Sequence, residues 1–142
     1  MTGRCATRHS LKIIAELSLI TRGKKEDAMP LIKLEVSDVS EKQCGELLPA
    51  LSRMLAENTG KPEKYVMATV SKMAPLMAGK PGPAAFADIR GIGGFTPTVN
   101  KKISQALCTL LDEQLRIPPD RVYMTFTDVP AANWGFNGGT FG

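Results

Sequence analysis

Residues 30–142 predict an α+β fold in which duplicated β-α-β units form a four-stranded mixed sheet with two helices on one face. Three observations predict it. Apolar residues recur at helical spacing in two separate stretches, and short alternating or apolar runs flank each of them. In addition, Pro62-Glu-Lys-Tyr-Val-Met67 is echoed by Pro119-Asp-Arg-Val-Tyr-Met124, at a spacing of 57 residues, as a duplicated unit would leave it.

The first unit opens with Pro30-Leu-Ile-Lys-Leu-Glu-Val36, whose alternation of apolar and polar side chains reads as a strand. A helix follows from Ser40, whose hydroxyl can cap the first turn while Gln43 completes a capping box. Its buried stripe is Cys44, Leu47, Leu48, Leu51, Met54 and Leu55, and Gly60 ends it. Pro49 falls inside this helix and predicts a kink or a later start, because its ring removes a hydrogen bond and crowds the preceding turn. Tyr65–Val70 reads as the second strand, leading into a loop of Gly, Pro and Met from Met73 to Pro83. The second unit repeats the plan: a strand from about Ala85 to Ile92, a turn at Gly93-Gly94, and a helix with Thr96 as cap and Pro97 at its first position. That helix carries Val99, Ile103, Ala106, Leu107, Leu110, Leu111 and Leu115 on one stripe, and the strand Arg121–Thr127 closes the unit.

Two helices on one face leave the other face of the sheet bare. A run such as Val122-Tyr-Met-Thr-Phe126 reads as apolar on both sides, so the expected cover is protein, supplied by oligomerisation. Trp134, Phe136 and Phe141, set among small residues in the last twelve positions, are expected to pack across a subunit boundary.

Composition narrows the function. The chain has 142 residues and a formal charge of +4. Residues 1–29 hold six Lys/Arg against three acids, whereas residues 30–142 hold twelve against eleven, with no basic run. The bulk of the protein is therefore not built to neutralise phosphates, and a nucleic-acid partner is not expected. Cys5, Cys44 and Cys108 make neither a disulfide framework nor a metal-ligand spacing, which suits a reducing, cytoplasmic compartment. The one histidine, His9, lies outside the expected domain, so neither a His-based zinc site nor a Ser-His-Asp arrangement can be assembled. The apolar stretch Leu11–Ile20 is too short to span a bilayer and is interrupted by Glu16; no membrane partner is expected. Residues 1–29 read as an N-terminal extension lying upstream of a start at Met29-Pro30, or as a targeting segment that is removed.

The stretch from Pro30 to Gly142 resembles the macrophage migration inhibitory factor and D-dopachrome tautomerase family. The resemblance is carried by Met29-Pro30-Leu-Ile, Gly60-Lys-Pro-Glu-Lys-Tyr-Val66, Gly91-Ile-Gly93, Leu115-Arg-Ile-Pro-Pro-Asp-Arg-Val-Tyr123 and Asn133-Trp-Gly-Phe-Asn-Gly-Gly-Thr-Phe141. It implies a tautomerase domain over 30–142, a homotrimer whose sheets form an inner barrel, and cofactor-independent keto-enol tautomerisation of phenylpyruvate-like α-keto acids. Pro30 then supplies the base. A free α-amino group titrates near 7.7 to 8.0, and an apolar pocket lowers that value, leaving a neutral amine at physiological pH. This requires Pro30 to be the mature N-terminus, since an acylated nitrogen has no basic lone pair.

The resemblance further implies that Lys61 holds the substrate carboxylate, that the Ile92 backbone N–H contacts substrate, and that Tyr123 reaches in from a neighbouring subunit. Leu31, Tyr65, Trp134, Phe136 and Phe141 stand at pocket positions. Two departures alter the site. Thr125 replaces the family's usual asparagine, and Phe136 stands where a tryptophan is usual, with Trp134 two residues earlier. The CxxC sequence linked to thiol chemistry in some members is replaced by alanines at Ala84, Ala85 and Ala87, so no such redox activity is expected. The alternative reading is a cytokine-like or host-directed ligand with a protein receptor and a vestigial pocket. Family members of this kind leave cells without a signal peptide.

Overall fold

The computed structural model describes residues 29–142, so the extension expected over 1–29 lies outside the described residues except for Met29. Four strands and two long helices follow in the expected order. They are β1 (Leu31–Val36), α1 (Glu41–Thr59), β2 (Met67–Lys72), β3 (Ala85–Gly91), α2 (Pro97–Leu115) and β4 (Val122–Asp128). The sheet order is β2-β1-β3-β4, with β1 parallel to β2, β3 parallel to β4, and β1 antiparallel to β3. Each β-α-β unit is thus a parallel pair bridged by its helix, and the two units meet through their first strands.

Both helices form as their ends dictate. The Ser40 hydroxyl accepts from the Gln43 backbone while the Gln43 side chain accepts from the Ser40 backbone, and Gly60 closes α1 at a φ of 70°. Thr96 caps α2 by accepting from the Val99 N–H, with Pro97 in the first turn. The expectation of a late start at Pro49 is corrected: α1 runs from Glu41 straight through it. Pro49 and Gly45 both face solvent, and nothing stands within 4 Å of the place a Gly45 Cβ would take, so the carbonyl that Pro49 cannot satisfy is open to water.

The core lies between the helices and one face of the sheet. Ile32, Leu34 and Val36 of β1 meet Leu47, Leu51 and Leu55 of α1 and Ile103, Leu107 and Leu111 of α2, all essentially fully buried. Each such side chain contributes about 1.5–3 kcal/mol through removal from water. On β4 the side chains alternate: Val122, Met124 and Phe126 join the core, while Tyr123, Thr125 and Thr127 face outward. The sheet is therefore not apolar on both sides as expected. Its open face also carries Lys33 and an Asp88–Arg90 ion pair at 2.9 Å.

The duplicated unit is present, but the sequence echo is one residue out of register with it. A spacing of 57 matches Met67, which faces outward, to Met124, which packs on the core. An odd offset reverses the faces of a strand, and the two 3₁₀ turns that precede β2 and β4, Glu63–Tyr65 and Pro119–Arg121, instead correspond at 56. The first of these turns also delays β2, which begins at Met67 rather than Tyr65: the Tyr65 and Val66 N–H groups are spent on the Pro62 and Glu63 carbonyls.

The C-terminal segment forms structure of its own: a 3₁₀ turn at Ala131–Asn133, then a hairpin of β5 (Gly135–Phe136) and β6 (Gly139–Thr140). Asn137 and Gly138 sit at φ values of 50° and 79°, the positive pair that a tight two-residue hairpin requires. Among the described residues, no helix is long and apolar enough to cross a membrane.

Candidate functional site

Pro30 stands at the entrance to β1, and its carbonyl accepts the Met67 N–H at 3.1 Å, which fixes it against the start of β2. The residue is almost completely buried. A cavity of about 500 Å³ opens beside it, walled by Leu31, Tyr65, Trp134 and Phe136, with Lys64 at its rim. The C-terminal hairpin delivers the aromatic wall from its own chain. Phe136 stacks on Phe141 with ring centroids 5.4 Å apart, and Trp134 accepts the Phe141 N–H through its carbonyl. The Asn137-Gly138 hairpin brings Trp134 and Phe136 to the Pro30 cavity of their own chain and leaves Phe136 54% exposed.

Met29 forms a further wall of this cavity. It is 7% exposed and packs on Ile92 in a small cluster with Tyr65, Ala131, Trp134 and Phe141, separate from the main core. Its φ of 67° is a left-handed value that a side chain with a Cβ adopts only at a cost.

Behind Ile92 lies Lys61, only 5% exposed. Its ammonium donates to the Gly93 carbonyl at 2.8 Å and to the Ile92 carbonyl at 3.3 Å, and lies 5.6 Å from the centre of the Phe95 ring. The glycines make room for it. A Cβ on Gly91 would stand 2.9 Å from the Phe95 ring, and one on Gly94 would stand 3.4 Å from the lysine chain, with Gly94 held at a φ of 88°. A Lys beside a helix-ending glycine is ordinarily solvated, yet this one is directed inward, and a buried cation of this kind is suited to opposing negative charge.

Tyr123 and Thr125 are not brought to this place. Leu31 lies opposite Arg90 at one end of the β1–β3 ladder, whereas Tyr123 lies opposite Phe86 near the other end, one strand further over. That separates them by about 13 Å along the strands and about 10 Å across. Tyr123 is 66% exposed and lines a different cavity, of about 350 Å³, with Leu76, Met77 and Phe86.

Sequence reasoning missed three contributors. Lys64, its ammonium 5.0 Å from the Tyr65 ring centre, was signalled only by its place beside a pocket tyrosine. Gly91 and Phe95 hold Lys61, and the Gly91-Ile-Gly-Gly run was the available sign. Among the described residues no group of three His, Cys, Asp or Glu side chains could hold a metal ion.

A family model for macrophage migration inhibitory factor matches residues 29–142. The macrophage migration inhibitory factor of Meriones unguiculatus is 40% identical over 96 residues, covering 67% of this chain and 84% of the relative. A homologue from Brugia malayi is 33% identical over 115 residues, 80% of this chain and all of the relative. Among solved structures, the macrophage migration inhibitory factor homologue from Prochlorococcus marinus superposes with a TM-score of 0.75 at 37% identity, covering 79% of this chain and 99% of that one. The Entamoeba histolytica protein gives 0.76 at 29% identity, with 79% and 98% covered. The four-stranded sheet, its two helices and these matches agree, and the chain belongs to the macrophage migration inhibitory factor family.

Proposed function

We propose that the chain beginning at Pro30 is a cofactor-independent keto-enol tautomerase of phenylpyruvate-like α-keto acids, assembled as a homotrimer. The observation that carries this reading is the placement of Pro30, buried at the wall of an aromatic-lined cavity, while the Lys61 ammonium donates to the carbonyl of Ile92, the residue on which the neighbouring Met29 packs. A free Pro30 amine in such apolar surroundings titrates below the usual α-amino range and is available as a base. It takes a proton from the carbon next to the substrate carbonyl, the enolate oxygen takes one from water to give the enol, and the protonated amine returns its proton to water, which regenerates the base. Lys61 opposes the negative charge on the carboxylate and developing enolate. The Ile92 N–H orients the substrate, and Tyr65, Trp134 and Phe136 flank its ring. Tyr123, with Thr125, belongs to the site of a neighbouring copy. Residues 1–29 are then an extension that must be absent from the working enzyme.

The test combines N-terminal mass analysis of the natural protein with an enol-keto assay on chains starting at Met1 and at Pro30. Activity is expected only with Pro30 free, rising with pH as the amine deprotonates, and Pro30→Gly should lower turnover by about a hundredfold or more. Equal turnover by a chain proven to retain residues 1–29 would overturn the proline base. A receptor-binding role is the second reading, favoured by the inhibitory-factor name of the relatives. It takes over if the Pro30 chain is inert yet binds a cell-surface protein.

A further inference from the structure

The amide on an extended chain is one obstacle to catalysis, and the placement of Met29 is a second, independent one. Its side chain is not left in solvent beside Pro30 but buried against Ile92, within a cluster that includes Tyr65, Trp134 and Phe141. Three of those residues, Tyr65, Trp134 and Ile92, are ones the reading above assigns to the substrate. To reach this position the backbone of Met29 takes a φ of 67°. An exposed N-terminal arm has no need of that conformation, so the burial of the side chain is what compensates it. Methionine suits such a place, being unbranched, apolar and adaptable enough to fill an irregular gap between rings.

We propose that Met29, one wall of the open cavity, is a built-in occupant of the part of the site against Ile92, which that cavity does not reach, so that a chain extended beyond Pro30 is closed toward Ile92 as well as chemically silent. The inference rests on the tautomerase reading for the identity of the ligand, but not for the closure itself. Self-occupancy competes with any ligand of the same chemistry, an aryl or compact aliphatic group bearing a carboxylate. It lowers apparent affinity in proportion to the time the side chain spends in place. Removing the Met29 side chain therefore restores binding without restoring chemistry, because the Pro30 nitrogen stays acylated. Removing residues 1–29 restores both.

Trp134 is the single tryptophan of the chain and lines the cavity, so its fluorescence reports occupancy directly. Phenylpyruvate is titrated into three proteins: the 142-residue chain, the same chain with Met29→Gly, and the chain starting at Pro30. Glycine at this position also accepts the positive φ without strain, so the variant is expected to fold. The expected result is an apparent affinity about tenfold weaker for the unmodified long chain than for the other two, which bind alike. Turnover is confined to the chain starting at Pro30. Equal binding by the two long chains overturns the plug, and so does a failure of the Pro30 chain to bind more tightly than the long one. Binding that follows the expected order, with no turnover by any chain, instead leaves the plug standing and removes the tautomerase reading.

Discussion

Lys64 stands at the rim of the Pro30 cavity, its ammonium 5.0 Å from the centre of the Tyr65 ring and in no ion pair with the described residues. The acid beside it is engaged elsewhere, since Glu63 accepts from the Ser52 hydroxyl at 3.1 Å. Lys61, by contrast, is deep and spends its hydrogen bonds on the Ile92 and Gly93 carbonyls. The two lysines are therefore expected to act at different stages: Lys64 on the approach and docking of an anion, Lys61 on charge that develops inside. A rim charge screened by water is worth little, so Lys64→Gln should raise KM for phenylpyruvate about two- to fivefold while leaving kcat unchanged. The difference should vanish near 1 M salt, where the screening length falls to about 3 Å. A fall in kcat at constant KM would instead place Lys64 in the transition state. Steady-state kinetics at two ionic strengths separate the outcomes.

At the scale of elements, the turn from Gly91 to Phe95 links the end of β3 to the cap of α2 and also shapes the lysine site. A Gly91 Cβ would stand 2.9 Å from the Phe95 Cε2 and 3.5 Å from the Lys61 Nζ. Phe95 has little freedom to retreat, because its ring packs at 5.9 Å against Phe126 of β4. Gly91→Ala should therefore destabilise the protein by about 1–3 kcal/mol in denaturant titrations. Adding Phe95→Leu should recover part of that loss; an alanine variant as stable as the parent would show that the ring yields freely. The sequence made the fold legible where local chemistry decides it: the Ser40–Gln43 capping box, the Thr96 cap, the Gly60 stop and, apart from Leu48, the two helical stripes correspond to what forms. It misled where a tertiary or solvent effect decides, as at Pro49, where an exposed Gly45 carbonyl lets the helix continue. The C-terminal hairpin was signalled by Asn137-Gly138, but the place of its aromatics beside Pro30 was not, because hairpin chemistry specifies a turn and not where the turn docks. The burial of Lys61 and the insertion of Met29 were likewise illegible: Lys61 is buried against the Gly91–Gly94 turn and Met29 against Ile92, both far along the chain.

For the whole molecule, the decisive fact is that the residues of the proposed site lie at two separate places on one chain. Pro30 stands at the entrance to β1, while Tyr123 lies on the edge strand β4 near the opposite end of the sheet, 66% exposed beside Leu76, which is 71% exposed. The loop that carries Leu76 is held rigidly for so exposed a segment. Arg121 donates to the Pro83, Lys80 and Met77 carbonyls at 2.6, 3.0 and 3.3 Å, and Met77 and Lys80 exchange backbone hydrogen bonds across a tight turn. A braced apolar edge of this kind suits contact with a second copy, in which one copy's Tyr123 completes the Pro30 site of the next. The arrangement can be tested by complementation between two crippled chains, Pro30→Gly and Tyr123→Ala, both starting at position 30. Each alone should be at least tenfold slower than the parent, the first lacking the base and the second the neighbour's tyrosine. Unfolded together in equal amounts and refolded, they should form mixed trimers in which about a quarter of the sites pair an intact Pro30 with an intact Tyr123. Turnover should then rise well above the sum of the two separate proteins. If Pro30 and Tyr123 acted within one chain, no mixture could unite them, and the mixed sample would show only the average of its parts.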